Sequence, residues 1–137
     1  MNHIRSGLRP FLLLLSLAAC SSGPPYAART IDDDVEQTTN VSVLEASLLD
    51  VVLVGRTGVE RVPGTNQLKV IVPLRNIDDE PIQVLVQTSF LDGQKRPIGD
   101  DTNQQVKLIG PGATLPVIVV SKFDLAQDWI MRLAWNR

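Results

Sequence analysis

Histidine and cysteine are almost missing from this chain. One histidine, His3, and one cysteine, Cys20, occur in 137 residues. A Ser-His-Asp triad, a disulfide framework and a Cys/His metal site are therefore excluded from everything after Cys20. Aromatic residues make up only 4%. Positive charge is also scarce: 13 Lys+Arg stand against 15 Asp+Glu, for a net charge of −2. Nucleic-acid binders need a basic stripe, so no nucleic-acid partner is expected. No apolar run approaches the ~20 residues of a spanning helix. No Gly-rich phosphate loop leads from a strand into a helix. The length allows one domain of modest core and excludes a two-domain enzyme.

What is present begins with an address. Arg5 and Arg9, with no acidic residue near them, precede the short apolar run Phe11-Leu12-Leu13-Leu14-Leu15-Ser16-Leu17-Ala18-Ala19. That is the layout of a signal peptide, and its removal leaves 118 residues. Leu17-Ala18-Ala19-Cys20 resembles the lipobox of bacterial lipoproteins. The resemblance implies cleavage between Ala19 and Cys20, a diacylglyceryl thioether on Cys20, and acylation of the new amine. Each buried methylene contributes about 0.8 kcal/mol, so two or three acyl chains anchor a protein durably in a lipid bilayer. Ser21 follows where an inner-membrane retention signal would have Asp. In Gram-negative lipoproteins this resembles sorting to the outer membrane, with the domain facing the periplasm. Residues 20–40, rich in Ser, Gly, Pro, Asp and Thr, read as the lipidated cysteine and a flexible tether of about 25 Å mean span. Asp32-Asp33-Asp34 reads as solvated linker.

From Val41 to Arg137 the pattern is β. Residues 48–54 read as a strand. Leu68, Val70, Val72 and Leu74 alternate with Lys69, Pro73 and Arg75, and Pro73 predicts a local edge or bulge because it cannot donate to a ladder. Ile82, Val84, Val86, Thr88 and Phe90 line one face of the next strand. Asp92-Gly93 predicts a two-residue hairpin turn with positive φ at both positions. Residues 115–120 form a wholly apolar strand, Asp124 is placed to cap one helical turn, and Trp129, Met131, Leu133 and Trp135 alternate in a closing strand. About seven short strands without crossover helices predict an all-β, immunoglobulin-like antiparallel β-sandwich, with a small barrel as the alternative.

Val72-Pro73-Leu74-Arg75-Asn76, then Pro81-Ile82, then Ser89-Phe90-Leu91-Asp92-Gly93, with Val119-Val120-Ser121-Lys122 and Asp124-Leu125-Ala126-Gln127-Asp128-Trp129 as a closing segment, is similar to the YcfL-like family of small bacterial lipoproteins. The resemblance spans about half of the chain and implies a β-sandwich in the cell envelope. It implies no activity. One departure is that Gln87-Thr88-Ser89 stand before Phe90, where family members carry an aromatic-rich pattern.

Few residues are left to carry chemistry. Ser121-Lys122 pairs a nucleophile type with a base type, but adjacent strand residues point to opposite faces. Asp78-Asp79-Glu80 and Asp100-Asp101 supply carboxylates in turn sequences, where Asp is expected for backbone reasons. No enzyme, cofactor or metal is expected. The expectation is a non-enzymatic binding or structural module that meets an envelope protein through the strand containing Pro73 or through its end loops, with Lys69, Arg75 and Gln87 as candidate contact residues. The alternative is an accessory regulator of a cell-wall synthesis or secretion complex.

Overall fold

The computed structural model describes residues 23–31, 40–99 and 103–137. Ala19, Cys20, Ser21, Asp32 to Asp34, Asp100 and Asp101 lie outside the described residues. The elements run in the order β1 (Tyr26–Ala27), β2 (Val41–Val43), α1 (Ala46–Leu49), β3 (Val52–Val54), β4 (Gly58–Arg61), β5 (Leu68–Asn76), β6 (Ile82–Leu91), β7 (Pro97–Ile98), β8 (Gln104–Ile109), β9 (Thr114–Val120) and β10 (Asp128–Trp135). One sheet, A, has the order β1-β2-β10-β6, with β7 and β8 end to end along the far flank of β6. The other, B, is centred on β5, with β9 on one flank and β3 and β4 on the other. Every ladder is antiparallel except β2–β10. The result is an all-β sandwich.

The core forms where the apolar rows of the two sheets meet. Leu68, Val70, Val72 and Leu74 of β5 and Val117 and Val119 of β9 are buried. So are Ile82, Val84, Val86 and Phe90 of β6 and Trp129, Met131 and Leu133 of β10. The period-2 rows of the sequence are thus the inner faces of the sheets. Burying a single Val or Leu side chain stabilises the fold by about 1.5–3 kcal/mol, and these rows supply most of what holds the sheets together.

Four local expectations are corrected. Leu48 and Leu49 belong to α1, not to a strand. The chain must cross from sheet A to sheet B between β2 and β3, and Ala and Leu favour the helical turn that does it. Its amides at Leu48 and Leu49 both donate to Glu45 O, and Leu48 is fully buried. Residues 26–31, expected within the tether, lie against both sheets instead. Tyr26 and Ala27 pair with Val43 and Ser42, and Ala28 is buried. Val54 N–H donates to Arg29 O at 2.7 Å and Ile31 N–H donates to Val54 O at 3.0 Å. A ladder is made by backbone, so small residues of low hydrophobicity can join one where composition reads as linker.

The Asp92-Gly93 turn is longer than expected. Asp92 N–H donates to Arg96 O at 2.9 Å and Lys95 N–H to Asp92 O at 3.0 Å, leaving Gly93, Gln94 and Lys95 as a three-residue loop. The positive φ falls on Lys95, at 63°, and not on Gly93. Asp92 selects this geometry: its Oδ1 accepts from Gln94 N–H at 2.8 Å and from Arg96 N–H at 3.0 Å. The backbone amide of Arg96 first, and that of Gln94 next, hold the Asp92 carboxyl below its ordinary pKa. Asp124 caps no helix. Its carbonyl accepts from Arg61 Nη1 at 3.2 Å, and Arg61 Nη2 donates to Ala126 O at 2.6 Å, so a side chain from β4 holds this loop in place of an internal helical turn.

Candidate functional site

Pro73 lies inside sheet B, with strands on both flanks. Asn76 N–H donates to Ala113 O, and Ser121 N–H donates to Leu68 O. Even-numbered residues of β5 therefore make the hydrogen-bonded pairs with β9, and odd-numbered ones face across non-bonded pairs. Pro73 is odd and stands opposite Pro116. Neither proline removes a bond from that ladder. On the other flank Gly55 N–H donates to Pro73 O at 2.8 Å, and the register jumps from Val54–Leu74 to Gly58–Ile71. Extra residues at 55–57 oppose Val72 and Pro73, so the bulge sits on the neighbouring strand. A Cβ at Gly55 would lie 3.0 Å from Pro73 Cβ, which is why the closest approach falls on a glycine.

The odd residues of β5 and the even residues of β9 share the outer face of sheet B. Ile71 pairs with Ile118, Pro73 with Pro116, and Lys69 with Val120. Ile118 is 48% exposed and Val120 40%. The run at 115–120 is apolar at every position. Only one face is covered among the described residues, because sheet B has no layer outside it. A contiguous apolar strip on an outer face marks a contact surface more often than isolated exposed residues do.

Charge borders the strip at both ends. Lys69 Nζ pairs with Glu60 Oε1 at 2.9 Å. Both groups are partly solvated, so the pair contributes at most about 1 kcal/mol. Arg75 is exposed and lies between Leu53 and Thr114. Lys69 and Arg75 thus share one surface. Gln87 does not: it sits opposite Arg132 on the outer face of sheet A. The three expected contact residues divide between opposite faces of the sandwich. Strand periodicity assigns a residue to an inner or an outer face but not to a sheet.

The other singled-out residues have structural duties. Ser121 Oγ accepts from Leu68 N–H at 2.9 Å and donates to Phe123 O at 2.8 Å, so this hydroxyl is committed to joining the end of β9 to the start of β5. Asp78 and Asp79 belong to the turn after Asn76, whose Oδ1 accepts from Asp78 N–H at 2.8 Å. No cluster of three metal-ligating side chains occurs among the described residues. Among the same residues, no helix is long and apolar enough to cross a membrane.

Solved structures share the fold, among them two crystal structures. A crystal structure of Cj0090 from Campylobacter jejuni aligns over 72% of this chain and 100% of its own, with a TM-score of 0.57 and 18% identity. A crystal structure of a DUF1425 family member from Shewanella sp. pv-4 aligns over 63% of this chain and 79% of its own, with a TM-score of 0.56 and 10% identity. At these identities the likeness is one of fold. No family model matches the sequence. No curated protein matches it either.

Proposed function

We propose that this chain is a lipid-anchored protein of the bacterial outer membrane, of YcfL-like type, that works by contact and not by turnover. The anchor reading rests on the lipobox-like Leu17-Ala18-Ala19-Cys20 and on Ser21 after it. The contact reading rests on one observation: the outward-facing strip of half-buried Ile71 and Pro73 and exposed Pro116, Ile118 and Val120 on sheet B, bordered by Arg75 and Lys69. An envelope protein that presents an apolar strip edged by carboxylates complements that surface in shape and charge. The fold shared with the DUF1425 member is compatible with such a module.

Metabolic labelling with a fatty-acid analogue tests the anchor. Label should enter the wild type and be absent from Cys20→Ser. A photo-crosslinking residue at Ile118, on the intact envelope, tests the contact. Its adducts should be lost on Arg75→Glu, while the same probe at Gln87 yields different adducts or none. Hydrolysis of peptidoglycan, peptide or ester substrates by the purified chain, abolished by Ser121→Ala, would overturn the non-enzymatic reading.

A further inference from the structure

We propose that the gap between the two sheets beside β9 is a binding site for a small organic acid. The proposal is independent of the anchor and shares only Val120 with the sheet B surface. The gap holds a cavity of about 250 Å³ where β9 passes the junction between β7 and β8. Phe90 and Ile98, opposite each other in the β6–β7 ladder, form its apolar wall, and Val120 borders it.

Thr88 identifies the cavity as more than a packing fault. It stands on the inward row of β6, is 1% exposed and lines the cavity. Its Oγ1 has no hydrogen-bond partner among the described residues. Burying a hydroxyl without a partner costs free energy, and folded proteins leave few such groups. Ser121, another buried hydroxyl, is used as both donor and acceptor. A valine at 88 would fill the same space without the penalty. The hydroxyl fits a bound polar group.

The other polar groups define the charge of that ligand. Lys122 lines the cavity and makes no ion pair among the described residues; its Nζ lies 5.7 Å from the centroid of the Phe123 ring. Val120 pairs with Lys69 in the non-bonded register, so its backbone N–H points away from β5, to the side where the cavity lies. Asn103 lines the mouth. An ammonium, a backbone N–H and the Thr88 hydroxyl thus stand beside an apolar wall. An anionic group shared by Lys122, Val120 N–H and the Thr88 hydroxyl, with a short aliphatic body on Phe90 and Ile98, uses these donors and the apolar wall together. The volume lies just below that of drug-sized pockets, so the ligand is small, of about six to ten non-hydrogen atoms.

Butyrate and its uncharged counterpart 1-butanol serve as probes, titrated into the isotope-labelled full chain and followed by NMR. Butyrate should give saturable shifts at Thr88, Phe90, Ile98 and Val120, with a dissociation constant in the millimolar range and binding about fivefold tighter than 1-butanol. Thr88→Val should weaken butyrate about tenfold while the melting temperature holds or rises, because an unpaired hydroxyl has been removed. Lys122→Gln, a change at an exposed residue, should weaken butyrate about fivefold and leave 1-butanol unaffected. Lys107→Gln, outside the cavity, should change neither. Absence of saturation, equal binding of the two probes, or affinity untouched by both Thr88→Val and Lys122→Gln would mean that water alone fills the cavity, and would overturn the proposal.

Discussion

Asn76 should be the most sensitive polar position in the fold. It ends β5, is fully buried, and uses its whole side chain. Nδ2 donates to Glu80 O at 2.7 Å and to Ile109 O at 3.0 Å, while Oδ1 accepts from Asp78 N–H at 2.8 Å. Its backbone is engaged as well, with N–H donating to Ala113 O at 3.0 Å and O accepting from Gly112 N–H at 2.9 Å. One residue therefore fastens the β5–β6 turn, the end of β8 and the β8–β9 turn. In Asn76→Leu three side-chain bonds vanish. Glu80 and Asp78 are near solvent and can turn to water, so each loss there costs little beyond the bond, about 0.5–1 kcal/mol. Ile109 is buried, and its carbonyl would be left unpaired at about 1–3 kcal/mol. The sum is about 2–5 kcal/mol, or roughly 8–20 °C in melting temperature for a domain near 100 residues. Asn76→Asp should be at least as damaging, because a carboxylate cannot donate and would face two carbonyl oxygens. Urea unfolding should show a lower midpoint with unchanged slope, and the exposed control Thr65→Ala should stay within about 0.5 kcal/mol of wild type. A midpoint shift in Asn76→Leu no larger than that of the control would refute the reasoning.

Other perturbations follow from the same geometry. Gly55→Ala should destabilise by about 1–3 kcal/mol, because its Cβ meets Pro73, whereas Gly23→Ala, with open space around it, should not; thermal melts compare the two. Gly93→Ala should be nearly neutral, since φ is not positive there, while Lys95→Gly should recover up to about 1 kcal/mol of left-handed strain, less what its ion pair with Asp128 supplies; a larger loss at Gly93 than at Lys95 would contradict the observed loop. Asp128 is held below its ordinary pKa, chiefly by the Lys95 ammonium, and Asp92 by backbone amides, so their contributions are complete above the unfolded value near 4 and are lost as pH falls through the folded values. Urea midpoints should therefore drop below about pH 4, and Asp92→Asn should flatten that dependence. Pro116→Val should add an outward N–H to the free side of β9 and promote self-association, read by sedimentation velocity at rising concentration.

The inner faces of the sandwich were legible in the sequence, and their partners were not. Alternation at 68–74, 82–90 and 129–133 assigned half of the buried apolar residues, because period 2 is a direct record of which side of a sheet a residue faces. The parallel contact of β2 with β10, and the seating of Tyr26–Ala27 beside β2, are backbone events between segments far apart in the chain, and no side-chain pattern announces them. The candidate surface was half visible for the same reason. Lys69 and Arg75 alternate on one strand and so had to share a face, whereas Gln87 needed the sheet assignment. Ile118 and Val120 were hidden by composition, since an apolar run looks alike whether one face or both are covered. Thr88 was placed correctly on its inward row, but an unpaired hydroxyl is a property of its surroundings and not of the strand that carries it.

Two of the outer strands, β8 and β9, bear on how such a domain can meet a partner. In β9 the groups directed away from β5 belong to Thr114, Pro116, Ile118 and Val120, and Pro116 interrupts that row of donors. In β8, Thr88 N–H donates to Asn103 O, which puts Gln104, Val106 and Leu108 in non-bonded pairs with their polar backbone groups outward. The neighbouring Lys107 falls on the row that points toward the core side with buried Ile109, and a charge on the inward row of an edge strand resists continuation of the sheet. These two edges thus carry obstacles to strand addition of different chemical kinds. Exposed apolar side chains stand beside both obstacles: Ile118 and Val120 next to Pro116, and Val106 and Leu108 next to Lys107. Recognition built on such edges has to pass through side chains on the outer faces, where shape and charge discriminate, and not through backbone hydrogen bonds, which any extended chain can supply.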